Sequence, residues 1–148
     1  MPDRKTILIA DDSEEDAYIL KRAFQKAGCT VPLTFVKDGQ EAIDYLSGQG
    51  EFGDRSAHPL PRLVLLDLKM PKADGFDVLE WMQQQPKLKL PPVTVLTSSN
   101  QDKDIDRAYG LGANSYLVKP NSFDAFVDIV ERLRAYWIEI NRPPSGIV

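Results

Sequence analysis

Four short apolar runs in this chain each lead directly into residues able to do chemistry. Asp11 and Asp12 follow Ile7-Leu8-Ile9-Ala10, and Asp67 follows Leu63-Val64-Leu65-Leu66. Thr97 follows Val93-Thr94-Val95-Leu96, and Lys119 follows Ser115-Tyr116-Leu117-Val118. Three carboxylates gathered within a few ångströms repel one another by roughly 4 kcal/mol per close pair at an effective dielectric near 20. A hard divalent cation offsets that repulsion, and Mg²⁺ characteristically takes one or two carboxylates together with waters and a phosphate oxygen. Three carboxylates, one Mg²⁺ and one lysine sum to zero charge. Taken alone, Asp67 reads first as a strand-terminating residue that turns or caps the chain. The repetition of such chemistry at other strand ends is what points to a shared site.

The elements that must position these residues follow from periodicity. An uninterrupted apolar run of this length reads as a strand buried on both faces, as in the middle of a parallel sheet. Between the runs lie helical patterns. Ser13 caps the first, with Asp16 three residues on approximating a capping box, and Tyr18, Ile19, Ala23 and Phe24 share one face before Ala27-Gly28 closes it. Pro32 opens the run Leu33–Val36, which places that strand at a sheet edge. Lys37-Asp38-Gly39 turns into a helix carrying Ala42, Ile43, Tyr45 and Leu46, and Phe76, Val78, Leu79 and Met82 mark a third. A polar helix is expected over Asp102 to Leu111, and a final one from about Ser122 to Ile140.

Strands alternating with helices predict an α/β fold: a flavodoxin-like, doubly wound, five-stranded parallel sheet of order 2-1-3-4-5 with helices on both faces. In such a sheet ligands bind outside the carboxyl ends of the strands, which is where Asp11, Asp12, Asp67, Thr97 and Lys119 would meet.

With 148 residues, 43% of them hydrophobic and 27% charged, one domain spanning 1–148 is expected, with its core at about 5–138 and a turn-rich tail over 141–148. The net charge of −4 and scattered Lys and Arg argue against nucleic-acid binding. No apolar run is long enough to cross a membrane, the N-terminus has no signal-peptide pattern, and the lone Cys29 excludes an internal disulfide. A cytoplasmic setting is inferred. Gly48-Gln49-Gly50-Glu51-Phe52-Gly53 matches the dinucleotide pattern GxGxxG but follows a helix and precedes Pro59 and Pro61, the wrong context for a pyrophosphate. It reads as a coincidence, and His58 reads as a solvated loop residue rather than a metal ligand.

Asp11-Asp12, Asp67 with Met70-Pro71 and Gly75 behind it, Thr97 and Lys119-Pro120 together resemble the receiver domain of two-component response regulators. The Ala-Asp-Asp-Ser opening, the long loop before the third strand and the aromatic last helix look most like the small phytochrome-associated regulators. The resemblance implies that Asp67 accepts a phosphoryl group from a histidine kinase. It further implies that Asp12, Asp67 and the backbone carbonyl of Lys69 hold Mg²⁺, with Asp11 acting through water. Lys119 and Thr97 would contact the phosphoryl oxygens, and the Lys119–Pro120 peptide would be cis. Thr97 and Tyr116 would form a switch in which the tyrosine turns inward; the plain alternative for Tyr116 is a half-buried strand aromatic. Lys69 departs from the neutral residue often found two places after the phosphoacceptor, and with Ser99 it leaves the phosphoryl lifetime open.

No second domain is apparent after Ile140, so output through protein contact to an unknown downstream partner is expected. The last helix would be about 30 Å long, and Tyr136, Trp137, Ile138 and Ile140 would encircle its end, an apolar surround that wants a partner. This predicts a homodimer through the fourth helix, fifth strand and last helix, with Tyr136, Trp137 and Ile140 in contact; the alternative is a terminus folded back on its own domain. Rival functions are an aspartyl phosphatase, which would want an acid where Lys69 stands, a flavin carrier and a nucleic-acid-binding regulator.

Overall fold

A computed structural model describes residues 6–88 and 90–144. The strands β1 (Thr6–Ala10), β2 (Leu33–Val36), β3 (Pro61–Leu66), β4 (Val93–Thr97) and β5 (Ser115–Val118) form one parallel sheet in the order β2-β1-β3-β4-β5. They alternate with α1 (Glu14–Lys26), α2 (Gly39–Ser47), α3 (Gly75–Gln83), α4 (Asp102–Gly110) and α5 (Phe123–Leu133). The doubly wound architecture expected from the alternation is present. The 145–148 end of the expected tail lies outside the described residues.

Side chains alternate across the sheet, so each strand feeds two cores. Leu8, Ala10, Val64, Leu66 and Val95 point to one face, against α2, α3 and α4, while Ile7, Ile9, Leu63, Leu65 and Leu96 point to the other, against α1 and α5. β1, β3 and β4 are almost wholly buried and β2 and β5 only half so, as two covered faces and two edges require. Pro32 does stand at an edge: its carbonyl accepts from Ile7 N at 2.9 Å and from Thr6 Oγ1 at 2.9 Å, and the N–H it lacks is not needed there.

The loop from Gly48 to Leu60 is a folded structural feature and not a nucleotide loop. Gly48 ends α2 in a left-handed conformation, and Arg55 donates to the carbonyls of Tyr45 (2.7 Å), Leu46 (2.9 Å) and His58 (3.1 Å). Tyr45 and Leu46 stand in the last turn of α2, where a helix C-terminus leaves carbonyls short of intrahelical donors. His58 packs edge-on against Phe52 and Tyr45 and is half-buried, where full solvation was expected.

The last helix differs from its expectation. Its α-helical part stops at Leu133, and Arg134–Ile140 continues as a wider π-helical segment closed by Asn141 N donating to Tyr136 O. Trp137 and Ile138 pack on the core shared by α1 and α5, while Tyr136 and Ile140 stay exposed. Arg62, at the start of β3, donates to the carbonyls of Ile138 and Asn141, both at 3.2 Å. Part of the terminus therefore folds back on its own domain, and Trp137 is not the free contact that its spacing suggested. Among the described residues, no helix is long and apolar enough to cross a membrane.

Candidate functional site

The ladder itself gathers the strand ends. Asp11 N donates to Val36 O (3.1 Å), Asp67 N to Ala10 O (3.0 Å) and Lys119 N to Thr97 O (2.7 Å), so neighbouring strands finish side by side. Just behind Asp67, Gly75 opens α3 so close to the rim that a Cβ there would lie 2.3 Å from the Asp67 carbonyl oxygen. Only glycine permits that approach. Asp74 caps α3 through a reciprocal box with Asp77 (2.9 and 3.0 Å), which fixes the loop carrying Lys69 to Ala73.

Asp67 is 7% exposed and fully engaged. Its Oδ1 accepts from Thr97 Oγ1 at 2.8 Å and from Lys69 N at 3.3 Å, and its Oδ2 accepts from Lys119 Nζ at 2.8 Å. Lys119 Nζ also donates to Asp11 Oδ2 at 2.8 Å and to Asp16 Oδ2 at 2.7 Å. Asp11 Oδ1 accepts from Ser13 N at 2.9 Å. Burial alone would depress the Lys119 pKa, but the bonds to Asp11, Asp16 and Asp67 outweigh it and raise it. Burial raises the Asp11 pKa by more than its bonds to Lys119 and Ser13 lower it. One cation shared among three acids leaves each only partly compensated.

Asp11, Asp12 and Asp67 offer carboxylate oxygens that all lie within 4.8 Å of one another, with Asp12 exposed at the mouth. An all-oxygen, carboxylate-rich donor set suits a hard divalent cation. Asp12, Lys69, Met70, Phe76, Ser99 and Arg107 border a cleft of about 600 Å³ at this mouth, with the Arg107 guanidinium 4.1 Å from the Phe76 ring centroid. Lys69 is exposed, and no acid stands at that position for a phosphatase general acid.

Tyr116 is half-buried against the core under α4, and its hydroxyl donates to Ser99 O at 2.9 Å. Burial foremost raises its pKa. Ser99 Oγ in turn donates to Asp104 Oδ2 at 2.6 Å. The Lys119–Pro120 peptide is trans, as are all peptide bonds among the described residues, contrary to the cis form implied by resemblance.

Asp16 was foreseen only as a capping residue. Ser13 Oγ does accept from Asp16 N at 3.1 Å, but the reciprocal bond is missing because the Asp16 carboxylate is turned to Lys119. The one signal was an acid four residues beyond Asp12 in the sequence. The spacing could not name a lysine a hundred residues away as its partner.

The chain matches the model of the response regulator receiver domain over residues 7–131. It belongs to that family. The probable methanogenesis regulatory protein FilR2 of Methanothrix harundinacea is 44% identical over 94% of this chain and 87% of its own. This receiver superposes on the phosphorylated cyanobacterial phytochrome response regulator RcpA with a TM-score of 0.86, at 32% identity over 96% of this chain and 99% of that one. The Mn²⁺-bound form of Rcp1, a response regulator of Synechocystis, gives a TM-score of 0.83 at 34% identity over 95% and 99% of the two chains. The relatives of this receiver thus include small phytochrome-associated regulators, and they give no support to the phosphatase alternative.

The cluster makes Lys119 the test of the site. Replacing it by Met leaves buried Asp11 and Asp67 without their cation, which costs about 3–5 kcal/mol. Urea unfolding of Lys119→Met in chelator is expected to show a loss of that order, partly recovered by millimolar Mg²⁺. An unchanged midpoint in chelator would remove the ammonium from its structural role.

Proposed function

We propose that this receiver takes a phosphoryl group from the phosphohistidine of a sensor histidine kinase onto Asp67, in a Mg²⁺-dependent reaction, and signals through phosphorylation-dependent protein contacts. The observation that carries this reading is the state of Asp67: a nearly buried carboxylate bonded at once by Thr97 and Lys119, beside two more carboxylates. An Asp67 oxygen forms a bond to phosphorus as the bond from phosphorus to the donor's leaving group breaks, and the electron pair departs with that group. The chain then acts mainly by alignment and by positive charge against the charge developing on the phosphoryl oxygens. Lys119 supplies that charge, and Thr97 supplies a hydroxyl donor.

Asp11, Asp12, Asp67 and the Lys69 carbonyl are the groups we assign to Mg²⁺, directly or through water, and the ion when bound would neutralise phosphoryl charge. The Mn²⁺-bound relative supports a divalent ion here. Likeness to RcpA supports a phytochrome-type kinase as the donor. The protein would work in the cytoplasm, beside its kinase.

Thr97 on Asp67 and Tyr116 on Ser99 O are the two halves of the proposed switch, and both occur together in this structure. Phosphorylation of Asp67 would strengthen the pull on Thr97 and so favour the packing with Tyr116 turned in. It can do so only by biasing an equilibrium between two existing packings. The output surface we assign is α4, β5 and α5, used to pair with a second copy or with a downstream protein. Exposed Tyr136 and Ile140 extend it, while Trp137 contributes less because it packs inward.

Incubation with acetyl phosphate and Mg²⁺, followed by intact mass, is expected to add one phosphoryl group to the wild type and none to Asp67→Asn. Equal labelling of the variant would place the acceptor elsewhere. Lys69→Asn is expected to shorten the life of the acyl phosphate several-fold, because Lys69 lines the cleft through which water arrives; an equal half-life would discard the shielding role. Light scattering should find a dimer that Tyr136→Glu with Ile140→Glu converts to monomer, and a wild type that stays monomeric with and without phosphodonor ends the pairing proposal.

A further inference from the structure

Lys119 meets one acid that the chemistry above does not use. A lysine ammonium has three N–H donors, and Asp11, Asp16 and Asp67 take all of them. The three acceptors are not equivalent. The Asp11 side chain is 2% exposed and is also bound by Ser13 N; that of Asp67 is 9% exposed and is also bound by Thr97 and Lys69 N. The Asp16 side chain is 29% exposed and sits in the first turn of α1 rather than at a strand end. Among the described residues its carboxylate accepts from Lys119 alone. A cleft of about 490 Å³, bordered by Asp16, Ile19, Lys119, Pro120 and Phe123, lies beside it and gives the carboxylate room to turn into water.

A saturated ammonium takes a new acceptor only by releasing an old one. A phosphoryl group on Asp67 brings strong acceptor oxygens and added negative charge to Lys119. Phosphorylation takes up the Asp67 carboxylate itself, so the donor now on Asp67 passes to the phosphoryl group. A second phosphoryl oxygen must displace Asp11 or Asp16, and Asp16 is the one that water can re-solvate at less cost, since Asp11 is buried. We propose that Asp16 is a positioning residue that keeps the Lys119 ammonium in place while Asp67 is unmodified and yields it to the phosphoryl oxygens on phosphorylation. Asp16 and the phosphoryl group are therefore competitors for one cation. The exchange moves hydrogen bonds only: the covalent step is the one already described, and Lys119 keeps its proton. A consequence follows for α1, because the same exchange cuts the tie between its first turn and the end of β5.

The inference rests on Asp67 being the phosphoacceptor, and the test separates the two. The full chain is titrated with acetyl phosphate at fixed Mg²⁺ and labelling is read by intact mass, for wild type, Asp16→Asn, Asp16→Glu and Glu15→Gln. A wild type that takes no label sinks the phosphoacceptor reading and this inference with it. A labelled wild type leaves the variants to decide. Asp16→Asn is expected to reach half-labelling at several-fold less donor, and Asp16→Glu, which keeps the charge, to match the wild type. Glu15→Gln removes a neighbouring α1 charge that does not face Lys119, and should also match. Amide hydrogen exchange supplies a readout that a purely structural residue would not move: the first turn of α1 should exchange faster on phosphorylation of the wild type, and show no further rise in Asp16→Asn. The proposal is overturned if Asp16→Asn needs as much donor as the wild type or more, if Glu15→Gln gains equally, or if the α1 exchange rates ignore phosphorylation. Circular dichroism confirms that each variant is folded, and Asp16→Ser replaces Asp16→Asn should the latter not be.

Discussion

One ammonium holds the rim of this sheet together. Lys119 reaches 52 residues back to Asp67, 103 to Asp16 and 108 to Asp11, so four separate elements meet on a single cation. Without it, carboxylates at the ends of adjacent buried strands would face one another with little water to screen them. A buried ion pair is a weak source of net stability but a costly thing to break, and its value here is to tie the ends of β1, β3 and β5 and the start of α1 to one point. The acid proposed to react is thereby held in place beside its acidic neighbours.

The sheet can bear so much charge at one rim because the rest of it is apolar and covered. β1 and β3 are lined on both faces by Ile, Leu and Val at nearly zero exposure, and the two cores fix the strands before any polar contact is counted. Rigid strands set the places of Asp11, Asp67, Thr97 and Lys119, and short loops take up the functional variation. Gly75 marks a tight point of that arrangement, where α3 starts against the Asp67 carbonyl.

Much of this was legible in the sequence, for a reason that particular residues make plain. Leu63-Val64-Leu65-Leu66 before Asp67 states a buried strand and its chemistry in one stretch, and three more runs repeat the statement; together they yield the strand order and the candidate site. What stayed hidden depends on partners far apart in the chain. Asp16 looked like half of a capping box because local spacing carries no word of Lys119. Tyr136, Trp137, Ile138 and Ile140 encircle the helix by their spacing, and the spacing does not say which of them meets a neighbouring element: Trp137 and Ile138 pack on the core while Tyr136 and Ile140 stay exposed.

The path from the rim to the outer face is short enough to follow bond by bond. Asp67 Oδ1 holds Thr97, two residues later the Ser99 carbonyl holds Tyr116, and the Ser99 hydroxyl is tied to Asp104 in the first turn of α4. Thr97 belongs to a buried strand and can move little; Ser99 lies in the loop beyond it. A change in the pull on Thr97 therefore has its freest outlet in the loop that also sets where Tyr116 and α4 rest. Spatial continuity alone does not make a signal. Thr97, Ser99 and Tyr116 join Asp67 at one end to β5 and α4 at the other, which is why the proposed switch is placed there. The surface proposed for partners is built from those two elements together with α5.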